Sequence, residues 1–245
     1  MKETRLSMGM PVSVEVVGDE AARGVEAAFA YFTEIDRRFS PYRADSEVAA
    51  LNRDPHHRPS AELAEILALA ERTRAESGGF FDIRRPDGRI DPSGIVKGWV
   101  IQKVAETLTA YGYEDFCVDA GGDIALSGKN ARGESWRIGI RNPFRREEVV
   151  RVVASHGGGI ATSGSAARGD HIYNPHKPEA PIRDVASITV VAEDVLTADR
   201  YATAAFAMGA DGILFIETIP GCEAYQIGQD GVAVMTSGFS ALARA

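Results

Sequence analysis

Apolar residues recur in two rhythms along this chain of 245 residues. From Val12 to Val17 they alternate with polar ones, the period of a half-buried β-strand. Val25, Ala28, Phe29, Phe32, Ile35 and Phe39 then follow at three- and four-residue spacing, which predicts one long amphipathic helix. Asp45-Ser46-Glu47 opens a short helix through Leu51. Ser60 caps the next, with Leu63, Ile66, Leu67 and Ala70 as its apolar stripe and Gly78-Gly79 as its stop. A further helix is predicted over residues 94–111. From residue 116 the rhythm shortens, and 116–118, 124–126, 136–140 and 149–153 read as short strands between Gly and Asn-Pro turns. A buried strand over 188–192, a small-residue helix ending at Gly209, a helix from Asp211 and a closing pair of strands complete the chain. Helices early and strands late predict an α+β fold rather than a βαβ repeat. The length fits a single large domain, residues 1–245, of two intimately packed halves.

Composition then narrows the function. No window approaches the roughly 20 apolar residues that span a bilayer, so no membrane role is expected. Met1-Lys2-Glu3-Thr4-Arg5 runs almost directly into the first strand without a signal-peptide pattern, which makes the cytoplasm the expected location. Cys117 and Cys222, each among apolar strand residues, are then expected as two buried thiols rather than a disulfide. A formal net charge of −8 argues against nucleic acid as a partner. An acidic chain that handles a phosphorylated ligand needs local neutralisation by a metal, a Lys or helix N-termini.

Four segments carry candidate chemistry. Asp199 and Thr203 lie four residues apart, on one face of a helix, where a carboxylate and a hydroxyl together suit Mg²⁺. The plain structural alternative is a charge near a helix start and a threonine bonded to its own backbone. In Asp91-Pro92-Ser93-Gly94-Ile95-Val96-Lys97-Gly98 an acid, a small-residue turn and a lysine open a helix. Free backbone N–H groups and one cation suit a diphosphate, although a capped helix with a surface lysine reads the same way, and the P-loop spacing is absent. Asp119-Ala120-Gly121-Gly122-Asp123 sets two glycines between apolar strands, as a tight turn or as a loop that a ligand approaches closely. Thr162-Ser163-Gly164-Ser165, small hydroxyl residues after a strand, followed by His171-Ile172-Tyr173-Asn174-Pro175 in an extended segment, is compatible with a pocket wall, although a lone histidine is more often structural. His56 and His57, adjacent on an exposed loop, diverge and make a poor metal site.

In this order the segments resemble the FAD:protein FMN transferase family, also called the ApbE family. The resemblance runs from Ser7-Met8-Gly9-Met10 through Phe39-Ser40-Pro41-Tyr42-Arg43-Ala44-Asp45-Ser46-Glu47 and Gly78-Gly79-Phe80-Phe81-Asp82. It continues through the Asp91 and Gly121 segments, Ala161-Thr162-Ser163-Gly164 and the His171 segment to Ala198-Asp199 with Ala202-Thr203. It implies an enzyme that uses Mg²⁺ to cleave the pyrophosphate of FAD and attaches the FMN half to a threonine hydroxyl of an acceptor flavoprotein, releasing AMP. By resemblance, Gly94 (through its carbonyl), Asp199 and Thr203 hold the metal, and Met8, Tyr42, Phe80, Phe81, Asp82, Asp91, Lys97, Ile172 and Tyr173 contact FAD. His171 and Asp199 are the residues expected at the reacting end. The aromatic rings of Tyr42, Phe80, Phe81 and Tyr173 suit stacking on the isoalloxazine or ordinary core packing.

The chain departs from the family pattern in four places. Only eight residues separate Asp82 from Asp91 where a longer insert is usual, and Asn174-Pro175-His176-Lys177-Pro178 replaces an Asp-Pro-x-Thr-Gly turn. Asp119 replaces an Asn, and the lipoprotein signal of many members is missing. These departures keep two other readings open: an FAD pyrophosphatase giving FMN and AMP, and a protein that binds FAD without turning it over. A nucleotide-dependent oxidoreductase is disfavoured, because no Gly-x-Gly-x-x-Gly follows the first strand.

Overall fold

A computed structural model describes residues 1–54, 56–145, 147–165 and 172–242. Strands β1 (Lys2–Ser7) and β2 (Met10–Val16) form an antiparallel hairpin through a two-residue turn at Met8-Gly9, both with positive φ. That turn geometry matches the twist of the flanking strands. Four helices follow: α1 (Ala21–Phe39), α2 (Glu47–Arg53), α3 (Ala61–Glu76) and α4 (Ser93–Ala110). The chain then returns to the sheet as β3 (Phe116–Ala120) and β4 (Asp123–Ser127), makes an outlying ribbon of β5 (Trp136–Arg141) and β6 (Val149–Ser155), and re-enters as β7 (Gly157–Gly164) and β8 (Val185–Ala192). Helices α5 (Val195–Ala207) and α6 (Gly212–Glu217) precede β9 (Glu223–Gly228) and β10 (Ala233–Met235).

The main sheet has the order β1-β2-β3-β4-β7-β8-β9-β10, and every pairing is antiparallel. It is a meander into which two groups of helices are inserted between neighbouring strands. Alternation along the strands divides the core between the two faces. Phe116, Val118, Ala120 and Ala125 pack with α1–α4, whereas Ile124 and Leu126 turn to the other face and join Ile160, Tyr225, Ile227 and the ribbon residues Trp136, Ile140 and Val153. On the helical face, Ile188, Val190 and Ala224 pack with Ala198, Ala202 and Ala205 of α5.

The α+β expectation and most of the predicted helices agree with this architecture. Two strand expectations need correction. Residues 2–7 form an edge strand, which their burial explains, since alternate side chains are only partly covered. Thr162 and Ser163 lie within β7 rather than after a strand, because their backbone pairs with Thr189 and Ile188 of β8. Both cysteines are free thiols, Cys222 buried and Cys117 partly so. Among the described residues no helix is long and apolar enough to cross a membrane.

Candidate active site

The site residues from distant parts of the sequence meet where α4 crosses α5. Helix α5 starts at Asp194, whose carboxylate accepts from the Thr197 N–H (2.7 Å) and hydroxyl (2.9 Å). This cap satisfies orphan donors at the helix start and fixes the phase of the residues behind it. Asp199 and Thr203 then face α4 together. Glycine at 98 makes that approach feasible, since a methyl built there would lie 2.8 Å from both Cβ and Oδ2 of Asp199. At Gly94 the fit is looser, 3.6 Å from Thr203 Cγ2 and 3.5 Å from Phe81 Cε2. The sequence pattern Gly94-x-x-x-Gly98 therefore matches Asp199-x-x-x-Thr203 turn for turn.

Asp199 is only 2% exposed. Its Oδ2 accepts from the Gly98 N–H at 2.8 Å, and its Oδ1 stands 3.6 Å from the Lys97 ammonium. In a regular helix the Gly98 N–H would point to the Gly94 carbonyl, so Asp199 competes with that carbonyl for the donor. A second carboxylate, Asp123, comes from the start of β4. The Gly121-Gly122 turn, with φ of +65° and +98°, reverses the chain just before it. Asp123 is fully buried, accepts from the Thr162 N–H at 3.1 Å and forms an ion pair with Lys97. Burial pushes the Asp199 carboxyl above the usual carboxylate range; the Lys97 ammonium opposes this and the Asp123 charge adds to it. Two buried acids thus share one ammonium.

A second buried network locks α5 onto α3. The Arg200 guanidinium donates to Thr73 Oγ1 (3.2 Å), to Tyr201 Oη (2.9 Å) and to Glu76, and the Tyr201 hydroxyl donates to Glu76 Oε2 at 3.0 Å. Just beyond Glu76, α3 ends in a Schellman turn, with Gly79 N–H donating to Arg74 O (2.7 Å) and Gly78 N–H to Ala75 O (3.2 Å). The clamp therefore ties the Gly78–Asp82 segment to the helix that carries Asp199.

The other predicted residues are distributed around this seam. Phe81 is 3% exposed and packs against Gly94, as a core ring does. Phe80 meets His176 edge to face, with centroids 4.6 Å apart, and His176 Nε2 lies 3.0 Å from the Gly78 carbonyl. Tyr173 donates to the Arg84 carbonyl at 3.3 Å, and Ile172 packs against the α5 side of the core. Asp82 pairs with Arg74 and Arg84. Asp91 turns the chain into α4, accepting from Ser93 N–H (3.1 Å) and its hydroxyl (2.5 Å), and pairs with Arg85 at 3.0 Å. Met8 sits in the β1–β2 turn against the helical core, and Tyr42 projects into solvent, 86% exposed. His171 lies outside the described residues.

Three of the departures have local structural readings. The short 82–91 connection closes as a tight hairpin, with Arg85 N–H donating to Arg89 O (2.8 Å) and the Asn52 side chain pinning both polar groups of Ile90. Asn174 accepts from the His176 N–H at 2.9 Å, an Asx turn that an aspartate would make equally well. Asp119 accepts from the Gly122 N–H at 2.9 Å and so serves the turn before Asp123. Asp123, Arg200 and Glu76 were not singled out by the sequence reading. The signal for Asp123 was a carboxylate placed at a strand start directly after two glycines; Arg200 and Glu76 carried none, because only the fold brings them together.

The model of the ApbE family matches residues 8–85 and 83–226. The chain belongs to the ApbE family. A Salmonella typhimurium relative named FAD:protein FMN transferase is 24% identical across 94% of this chain and 85% of its own length. A Vibrio cholerae relative of the same name is 35% identical over 135 residues, which is 51% of this chain and 40% of that protein. The match thus spans under half of one relative and most of the other. Among solved structures, the ApbE protein of Thermotoga maritima superposes with a TM-score of 0.90 at 22% identity, covering 100% of this chain and 99% of that one. The flavin transferase ApbE of Vibrio cholerae does so at 0.87 and 23% identity, covering 99% and 98%. These structures place the chain within the ApbE fold over its whole length.

Proposed function

We propose that this chain transfers the FMN moiety of FAD to a threonine hydroxyl of an acceptor flavoprotein, with release of AMP, and that it uses Mg²⁺ to do so. The observation that carries the proposal is the α4–α5 seam, where the buried Asp199 carboxylate and Thr203 lie against Gly98 and Gly94, beside Lys97 and a second buried acid, Asp123. Family membership and the names of the relatives support the same activity. With both carboxyls ionised, two buried negative charges would face one ammonium, and a divalent cation would compensate the remainder. Among the described residues no three His, Cys, Asp or Glu side chains form a metal cage. One carboxylate with neutral oxygens instead suits Mg²⁺, which keeps coordination positions for substrate phosphates. Asp199, Thr203 and the Gly94 carbonyl are the residues that would hold it.

When bound, Mg²⁺ would neutralise the pyrophosphate and the leaving AMP. The chain's own contribution is positional. The Asp194 cap and the Arg200–Glu76 clamp hold Asp199 in place, and Asp91 fixes the entry into α4 by accepting from the Ser93 N–H. His171, two residues before Tyr173 in the sequence, is the residue proposed to activate the acceptor hydroxyl. The cytoplasm is the proposed location, and no nucleic acid or membrane partner is proposed.

The test incubates the protein with FAD and Mg²⁺, with and without an acceptor carrying a flavinylatable threonine, and measures AMP and protein-bound flavin. Covalent FMN on that threonine, lost in a His171→Ala variant that still binds FAD, is the expected result. Fast AMP release without acceptor would identify a pyrophosphatase instead, and tight binding without either product a flavin carrier.

A further inference from the structure

The seam holds one more buried acid than its proposed metal ligands require. Asp123 belongs to neither helix, yet the Gly121-Gly122 turn delivers it beneath them, fully buried. One oxygen is fixed by the Thr162 N–H at 3.1 Å, and the other meets the Lys97 ammonium. The same ammonium stands 3.6 Å from Asp199 Oδ1, while Asp199 Oδ2 is held by the backbone of the residue after Lys97. Lys97 is thus suspended between two buried carboxylates, its side chain only 17% exposed.

A carboxylate buried without a counter-charge is strongly disfavoured, and in a site of low polarity a neighbouring cation is little screened. A metal-free Asp199 that stays ionised needs a positive charge nearby, and a metal approaching its Oδ1 meets that charge as a repulsion. A lysine suits such a role because its ammonium is a point charge on a flexible stem. We propose that Lys97 is the resident counter-cation of Asp199 in the metal-free protein. Asp123 is the positioning residue that tethers its ammonium and receives it when a divalent cation takes its place. The inference rests on the reading that Asp199 ligates metal.

The experiment titrates Mn²⁺ into the metal-free full chain without FAD and reads bound metal by electron paramagnetic resonance. Lys97→Gln removes the competing charge and is expected to tighten Mn²⁺ binding about tenfold. Asp123→Asn keeps the acceptor for Thr162 but frees the ammonium to close on Asp199, so Mn²⁺ binding weakens. The gain from Lys97→Gln is then larger in the Asp123→Asn background than in the wild type. Residues that merely support the fold would give weaker binding in every variant, so the direction of the Lys97→Gln change separates the two roles.

Lys97→Gln that binds Mn²⁺ no more tightly than a wild type that does bind it overturns this inference and leaves the metal reading standing. If wild type and Lys97→Gln both fail to bind Mn²⁺, the metal reading fails and this inference fails with it. Should a variant not fold, the wild type supplies the answer. Nitrogen-15 resonances of the lysine ammonium groups are followed during Mg²⁺ titration, and displacement predicts that the Lys97 signal shifts. An unmoved Lys97 signal at saturating metal overturns the proposal.

Discussion

The α4–α5 seam and the rim around it use the same kinds of residue on opposite terms. In the seam Asp199 and Asp123 are buried; one oxygen of each accepts from a backbone N–H and the other faces the Lys97 ammonium. At the rim the Arg84–Glu71 pair connects two solvated side chains, Arg85 reaches the partly covered Asp91 from solvent, and Tyr42 projects freely. Water screens the rim pairs, so each contributes little and can be exchanged. The seam groups are scarcely screened, so removing one changes the state of the rest. The departures from the family pattern described here lie in the rim and the turns, while the seam keeps its carboxylate, hydroxyl and glycines.

The sharpest way to break this contrast is Asp199→Asn. It keeps the shape and removes the charge, so metal-dependent AMP release should fall by about a hundredfold or more, as for loss of a main electrostatic group. Circular dichroism should show an intact fold. Retained metal-dependent turnover would mean that the seam is not the active centre.

Gly98→Ala comes next. The added methyl has no room beside Asp199, and overpacking of this kind costs about 1–3 kcal/mol, measured by urea unfolding. Metal binding should weaken with it, because the helices must part. Gly94→Ala meets only ordinary contacts and should be much milder, so equal effects at the two glycines would contradict the geometry.

The Arg200–Glu76 clamp is intermediate, and pH exposes it. Burial alone would raise the Glu76 carboxyl, but hydrogen bonds from Arg72 and Arg200 outweigh it and hold the group below its ordinary value of 4.5. A folded-state pKa below the unfolded one gives stability that is present above about 4.5 and lost as pH falls through the folded value. Glu76→Gln should therefore destabilise at neutral pH, with the difference from wild type fading in acid. A difference that persists undiminished at low pH would assign the loss to packing alone.

The smallest effect belongs to the rim. Arg85→Ala should change unfolding free energy by less than about 0.5 kcal/mol, as for an exposed pair. Tyr42→Ala should be equally neutral for stability. If Tyr42 contacts FAD, the Michaelis constant for FAD rises in that variant while thermal unfolding stays put.

Local order determined what could be read from the chain alone. The stripe from Val25 to Phe39, the Ser60 cap with its Gly78-Gly79 stop, and the four-residue spacing of Asp199 and Thr203 are encoded within one or two turns of backbone, where periodicity and capping act directly. The motif order was enough to name the family. The edge strand over residues 2–7 is hidden because its alternation is mostly polar, and the run of β7 through Thr162-Ser163-Gly164 because those small residues carry no apolar pattern. Only the tertiary structure decided that Asp123 lies beneath Lys97, that Phe81 backs Gly94 rather than facing solvent, and that Arg200 reaches Glu76 across 124 residues of sequence. Burial and charge pairing depend on which elements pack together. Those terms decide whether a carboxylate is a solvated cap or a buried group that requires a cation, and no window of sequence contains them.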